Sequence, residues 1–259
     1  MNRTRAKILS NERIMPDRFV MRLDAPSIAK SAKPGQFIMV KCNGGTEPLL
    51  RRPLSLHRIE KKRLSLLYQV VGGGTRILSK RKRREELDII GPLGNGFNID
   101  KSARLINILI GGGIGVAPLL ALAEELKIRR LKTMVLIGAK TRSHLVGVEQ
   151  FKALGIEVRI ATEDGSKGYK GFATDLLKDE AIIGAYEPAM IYACGPKDML
   201  MAAAGIARIN SIECQVSFEE RMACGTGVCL GCAVNTVKGI KMACKDGPVF
   251  NAEDIIWQK

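Results

Sequence analysis

The sequence is short of aromatic residues, which make up 5% of 259 positions, and it holds only two histidines, His57 and His144. It has no apolar run near the roughly 20 residues that a membrane-spanning helix requires; Leu105–Ile110 is typical of its longer ones. The first residues, MNRTRAKILSNERI, carry charge but no apolar core of signal-peptide length. A cytoplasmic chain with no membrane span is therefore expected. No internal repeat, low-complexity tract or nucleophile–base constellation is visible. Hydrophobic residues are nonetheless 46% of the chain, enough for sizeable cores, which excludes wholesale disorder.

Acidic residues are also scarce, 26 against 41 Lys and Arg, for a formal charge of +15. Such an excess raises the hypothesis of a nucleic-acid or acidic partner. The charge is uneven. Residues 1–99 carry +13, residues 100–210 carry +3, and residues 211–259 carry −1. Much of it lies in Lys80-Arg81-Lys82-Arg83-Arg84. That run has no interleaved aromatics to stack on bases, so it is weak evidence for base recognition. It reads as a solvated face or as a docking surface for an acidic partner.

Three textures divide the chain into three expected domains. Residues 1–99 alternate short apolar segments (Arg18–Leu23, Gln36–Lys41, Leu54–Ile59, Leu64–Val71) with Pro and Gly punctuation, which predicts a small antiparallel barrel or sandwich. From residue 100 to 210, strand candidates at Leu105–Ile110, Thr133–Ile137, Val158–Ala161 and Met190–Ala193 alternate with helix candidates. These lie around Leu119–Leu126 and at Val146–Ala153, Phe172–Lys178 and Lys197–Arg208. The alternation predicts a parallel sheet covered by helices. Residues 211–259 are too few for a large core of their own, so a metal staple is expected there. The fold class is thus α/β plus β.

The seven cysteines are odd in number and no signal peptide precedes them, which argues against a secreted disulfide framework. Cys224, Cys229, Cys232 and Cys244 form C-x4-C-x2-C-x11-C. A structural zinc site usually shows two short-spaced pairs. A redox dithiol would use only the C-x-x-C and leave Cys224 and Cys244 unexplained. The plant-type [2Fe–2S] spacing matches all four. Gly225, Gly227 and Gly231 let the backbone wrap closely and turn N–H groups toward sulfur.

Gly111-Gly112-Gly113-Ile114-Gly115-Val116-Ala117-Pro118 follows a strand candidate and opens a helix candidate. Converging N–H groups and the helix dipole there suit a pyrophosphate, although a plain βα turn reads the same way. It is not G-x-G-x-x-G, because Val116 or Pro118 stands at the last position. Cys194-Gly195-Pro196 ends the last strand of this unit and is expected to border the same crevice, beyond the carboxyl ends of the strands. Arg52-Pro53-Leu54-Ser55 starts a strand candidate in the first domain; Arg52 and Ser55, expected on one face, suit another pyrophosphate. Gly72-Gly73-Gly74-Thr75 reads as a loop, or as a cradle if a second phosphate motif lies near it.

These motifs occur in one order, R-P-L-S, G-G-G-T, G-G-G-I-G-V-A-P, C-G-P and then the cysteines. In that order the chain resembles the ferredoxin–NADP reductase superfamily with an added [2Fe–2S] domain. More narrowly it resembles the electron-transfer subunits of NAD-dependent, type B dihydroorotate dehydrogenases. The narrow resemblance rests on FEERMACGTGVCLGCAV at 218–234, CKDGPVF at 244–250, Asp164-Gly165-Ser166 and GFATD at 171–175. It implies an N-terminal FAD-binding β-barrel, an NAD(P)-binding α/β domain and a cluster domain liganded by Cys224, Cys229, Cys232 and Cys244. It further implies FAD contacts at Arg52, Pro53, Leu54, Ser55, Leu67, Tyr68, Gln69, Gly74 and Thr75, with Gln69 standing where family members often carry Arg. Gly111, Gly112, Gly113, Gly115, Cys194, Gly195 and Pro196 would border the nicotinamide nucleotide. Relatives usually continue the second strand of this domain into an acidic residue. Here Gly138–His144 is basic and Arg142 suits a 2′-phosphate, so NADP stands beside NAD as an expectation. His144 reads as a surface residue.

The implied activity belongs to pyrimidine biosynthesis. An FMN-containing catalytic subunit, two copies with two of this chain, oxidises dihydroorotate; electrons pass through [2Fe–2S] and FAD to NAD⁺. Two other readings remain: a related subunit of a hydrogenase, sulfide or ferredoxin reductase complex, and a basic nucleic-acid-binding module.

Overall fold

Alternation with a period of two builds the first sheet. In β7 (Glu86–Leu93) every second residue is buried, so Leu87, Ile89 and Leu93 face inward. Its partners are β1 (Asn2–Met15), β2 (Arg18–Asp24), β3 (Phe37–Val40), β4 (Arg52–Ser55), β5 (Arg58–Ile59) and β6 (Arg63–Gln69). The computed structural model, which describes residues 1–99, 106–178 and 189–257, joins them antiparallel in the order β4-β3-β7-β1-β2-β6-β5. The sheet curls until β4 at one edge meets β6 near the other, a half-barrel. Ile8, Met21, Leu23, Ile38, Val40, Leu64, Leu66 and Tyr68 fill it. Each such buried aliphatic side chain stabilises the fold by about 1.5–3 kcal/mol relative to exposure. Short helices α1 (Pro26–Ala29) and α2 (Gly73–Ser79) interrupt the strands. The expected strand Leu54–Ile59 splits into β4 and β5, because Leu56 and His57 turn inward between them. Gly73–Thr75, read as a loop, is the first turn of α2.

The second sheet is wound from both sides. It holds β8 (Ile106–Gly112), β9 (Thr133–Ala139), β10 (Glu157–Thr162), β11 (Tyr169–Lys170), β12 (Ala189–Cys194), β13 (Glu213–Ser217) and β16 (Val249–Asn251). Their order is β11-β10-β9-β8-β12-β13-β16, parallel except where β16 runs against β13. Strands β8 and β12 are buried throughout, as central parallel strands must be when both faces are covered. Helices α3 (Ala117–Ile128) and α4 (Val148–Ala153) pack on the face of Leu109, Val135 and Tyr192. Helices α5 (Ala173–Leu177) and α6 (Lys197–Ile209) pack on the face of Ile108, Leu136 and Ile191. Leu105, the first residue of one strand candidate, lies outside the described residues.

The sheet does not stop at residue 210. Strand β13 belongs by sequence to the tail yet pairs in parallel with β12, and β16 returns to its edge. Between them lie the cysteine loop and a hairpin of β14 (Ala233–Thr236) and β15 (Gly239–Met242). Val234, Met242, Phe250 and Ile255 share one core with Ile108, Ile191 and Ala203. The tail is therefore anchored in the α/β core by apolar packing.

Candidate functional site

The strand order reverses direction between β8 and β12, the position in an open parallel sheet where a ligand crevice forms. The two glycine turns lie there. Gly111 pairs in register with Cys194. A Cβ on Gly115 would stand 2.4 Å from the Cys194 carbonyl oxygen, and one on Gly112 would stand 2.7 Å from Met199 Sδ. A Cβ on Gly195 would stand 3.1 Å from the Gly112 nitrogen. Only glycine permits this backbone-to-backbone approach. Gly113, at φ +56, starts the 3-10 turn that leads into α3, and Pro196 caps α6. The structure thus brings the two turns into direct contact.

At the ends of β9 and β10 a second loop pair closes the same side. The Arg142 backbone N–H donates to Ser166 Oγ at 2.7 Å, and Ser166 Oγ donates to Asp164 at 2.6 Å. Those bonds from the Ser166 hydroxyl and N–H hold the Asp164 carboxyl below its ordinary range. His144 is exposed, its Nδ1 2.8 Å from Thr141 Oγ1.

On the barrel, Arg52 and Gly74 meet: a Cβ on Gly74 would stand 2.6 Å from Arg52 Nε. The guanidinium thus lies across the glycine turn at the start of α2, a cationic cradle of the kind an FAD pyrophosphate fits. Arg52 and Ser55 are three positions apart, so the pleat turns them to opposite faces of β4, against the expectation of a shared face. Pro53 pairs with Met39, and Leu54 packs against the barrel core. Thr75 Oγ1 accepts from the Val71 and Gly72 N–H groups at 3.0 and 3.2 Å and so closes its own turn. Tyr68 points into the barrel, stacked on Phe19, its hydroxyl donating to Asn11 at 3.0 Å; burial pushes its pKa up. Leu67, its neighbour, faces the α/β domain with Val116 and Leu119. Gln69 Nε2 donates to Asp17 at 2.5 Å.

The four cysteines fall into two pairs. Cys224 lies beside Cys229, and Cys244 beside Cys232. Among the described residues no three Cys, His, Asp or Glu side chains converge on a single ion. Two pairs of thiolates are what two bridged iron ions need, and the donor set is that of a [2Fe–2S] cluster. Backbone N–H groups point at the sulfurs from Thr226 to Cys224 at 3.4 Å, Gly227 to Cys244 at 3.0 Å and Cys244 to Cys232 at 3.4 Å. Positive φ at Gly225, Gly227 and Leu230 gives the loop its turns. Burial raises the Cys224 thiol, but the N–H groups of Thr226 and Cys229 outweigh it and bring its pKa to about 5. Burial, and then Cys232, push Cys244 up to about 12. Cys232 and Cys244 are buried, whereas Cys229 is exposed between Val228 and Leu230, themselves 80% and 64% exposed. The loop rests on the barrel: a Cβ on Gly225 would stand 2.7 Å from Met39 Cγ, and Met39 is the strand partner of Pro53.

Family models match two segments. Residues 109–205 match an oxidoreductase NAD-binding domain, and residues 219–256 match the iron–sulfur cluster binding domain of dihydroorotate dehydrogenase B. The chain is 43% identical over 257 residues, 98% of each chain, to the dihydroorotate dehydrogenase B (NAD(+)) electron transfer subunit of Caldanaerobacter subterraneus subsp. tengcongensis. This chain belongs to the dihydroorotate dehydrogenase B electron transfer subunit family. Among solved structures, one of an NADH-dependent reduced ferredoxin-NADP oxidoreductase superposes with a TM-score of 0.85 at 31% identity, covering 97% of this chain and 90% of that one. A ferredoxin NADP+ reductase from Neisseria gonorrhoeae, solved with FAD and NADP, shares the fold, with a TM-score of 0.68 at 17% identity over 84% of this chain and all of that one.

Within the electron transfer subunit fold, three residues join the barrel to the α/β domain that no motif marked. His57, 3% exposed, contacts the Ala117 carbonyl oxygen through Nδ1 at 2.8 Å. Arg18, 5% exposed, donates through Nη1 to the His144 carbonyl at 2.7 Å. Arg58 lies 2.6 Å from Glu124. Their only sequence signal was polar residues inside apolar strand segments. Of the basic run, Arg81 donates to the Cys42 carbonyl at 3.0 Å and Arg84 donates its N–H to the Ile8 carbonyl, so two of the five residues tie the run to neighbouring segments of the barrel.

Proposed function

We propose that this chain is the electron-transfer subunit of an NAD-dependent dihydroorotate dehydrogenase, acting in pyrimidine biosynthesis in the cytoplasm beside an FMN-containing catalytic subunit in a two-plus-two heterotetramer. When bound, the [2Fe–2S] cluster supplies one-electron transfer and FAD supplies the exchange between single electrons and the hydride that NAD⁺ accepts. Arg52, lying against Gly74, would neutralise the FAD pyrophosphate. The glycine turns Gly111–Gly115 and Cys194–Pro196 admit the nucleotide backbone at the sheet's switch point. Cys224, Cys229, Cys232 and Cys244 would hold the cluster, and the N–H groups of Thr226, Gly227 and Cys244 would stabilise the charge on their sulfurs. No side chain acts as a general acid or base; the residues bind, orient and exclude water.

One observation carries this reading. Gly225 of the cysteine loop packs on Met39, one strand from Pro53 in the flavin motif, so the cluster loop and the FAD strand share a wall. Native purification tests it. The expected result is a co-purifying FMN protein and dihydroorotate-driven reduction of NAD⁺ by the complex. A second reading, a subunit of an NADH–ferredoxin oxidoreductase complex, is favoured by the 31% identical structure. A multi-cluster or nickel partner with no dihydroorotate activity would overturn the first reading in its favour.

A further inference from the structure

Hydride exchange between flavin and nicotinamide demands that the reacting atoms approach to about 3–3.5 Å in a fixed orientation. The two groups would be held by different bodies, the flavin by the barrel and the nucleotide by the crevice of the α/β sheet. Their distance is therefore set by the interface between the bodies. The apolar part of that interface, Val20 and Leu67 against Val116 and Leu119, is non-directional and tolerates sliding. The polar part is directional. His57, anchored by its own N–H to the Ser65 carbonyl of β6, has Nδ1 2.8 Å from the Ala117 carbonyl oxygen. Because the partner is a carbonyl, Nδ1 carries the proton and donates. Ala117 is the residue that follows the Gly111–Val116 turn. Arg18 donates to the carbonyl of His144, the residue that ends the loop after β9. Thus two buried barrel side chains each hold the main chain at the far end of a loop that follows a central strand. A guanidinium that is 5% exposed costs free energy to bury; its Nε makes no hydrogen bond and is offset only by the Asp17 carboxylate 3.9 Å away. Packing alone does not require a cation there.

We propose, on the reading given above, that Arg18 and His57 are positioning residues that lock the two nucleotide loops in register with the flavin-binding barrel through the His144 and Ala117 carbonyls. The test uses the full-length chain and the variants His57→Ala, His57→Asn, Arg18→Met and Arg58→Gln. Asparagine places an N–H donor near the position of Nδ1, so His57→Asn is the conservative variant. Arg58→Gln removes an ion pair on the flank of α3 and touches neither loop. In the cofactor-free chain, amide hydrogen exchange over 111–117 is expected to accelerate about tenfold or more in His57→Ala, and over 141–145 in Arg18→Met. In the FAD-loaded chain, the limiting rate of flavin reduction by NADH should fall about tenfold to a hundredfold in both, with the apparent dissociation constant for NADH changed less than about threefold. His57→Asn should recover most of both losses, and Arg58→Gln should change neither by more than about threefold.

Unchanged exchange in the two loops, or equal damage from His57→Asn and His57→Ala, would overturn the proposal. Should NADH fail to reduce the wild-type flavin at all, the functional reading falls instead, and the exchange data still judge the lock. If His57→Ala does not fold, His57→Asn and Arg18→Met carry the same comparison.

Discussion

A single methyl group separates two touching glycine turns from a clash at position 115. With Cβ 2.4 Å from the Cys194 oxygen, Gly115→Ala must push the two turns apart. It should cost about 1–3 kcal/mol of stability, as overpacking does, and weaken NADH binding; chemical unfolding of the apo chain and a binding titration check both. His57 makes the second prediction. Burial, against the help of the Ala117 carbonyl and with added repulsion from Arg58, lowers its pKa from 6.5 to about 4. The folded state therefore holds the neutral ring, and stability is at its full value above pH 6.5. It is lost as the pH falls through the window from 6.5 to about 4, by a total on the order of 3 kcal/mol, and is flat below. Arg58, Glu124 and Glu60 also face this region, so the signal is the difference between wild type and His57→Asn across the pH range. A difference that does not change with pH would count against a neutral buried ring. Glycines of this kind are legible because repetition marks them. His57 and Arg18 were not, since one polar residue in a strand has no spacing to read and its partner is a carbonyl more than 50 positions away.

Among the elements, the central parallel strands were easiest to foresee, because burial on both faces leaves runs such as Ile106–Ile110 with few polar residues. Strand β1 was missed although it spans 14 residues: Ala6 and Ile8 are its only fully buried positions, and charged residues occupy much of the rest. Strand β7 was obscured by Gly91-Pro92 within it. The tail was legible in its chemistry, as the match of residues 219–256 to a cluster-binding domain bears out, but not in its packing. Its four cysteines and short length suggested a unit held by metal, but β13 extends the parallel sheet, β16 runs antiparallel along its edge, and Phe218 meets Phe250 edge to face and stacks on Trp257. Removal of iron should consequently leave the α/β sheet folded. Chelation or Cys244→Ser is expected to abolish the visible cluster absorbance while the far-UV circular dichroism changes little and amide exchange rises only within 222–232. Global unfolding on iron loss would show that the metal, rather than apolar packing, holds the tail.

Across the whole molecule, charge and chemistry are separated. The barrel carries +13, whereas residues 211–259 are near neutral at −1. Electron exchange requires a partner to come close to the cluster, and the most exposed of the four cysteines, Cys229, is flanked by the exposed apolar residues Val228 and Leu230. Covering Val228 and Leu230 removes apolar area from water. Association with the catalytic subunit should thus weaken less than about tenfold when salt rises from about 0.05 M to about 0.5 M. Val228→Glu combined with Leu230→Glu should abolish co-purification while the cluster spectrum of the isolated chain persists. If the basic face with Lys80, Lys82 and Arg83 made the contact, the two results would reverse: a steep loss of affinity with salt, and indifference to changes at 228 and 230. The comparison therefore decides whether the positive charge of the barrel serves docking or only solvation, a question the count of 41 basic residues raises but does not answer.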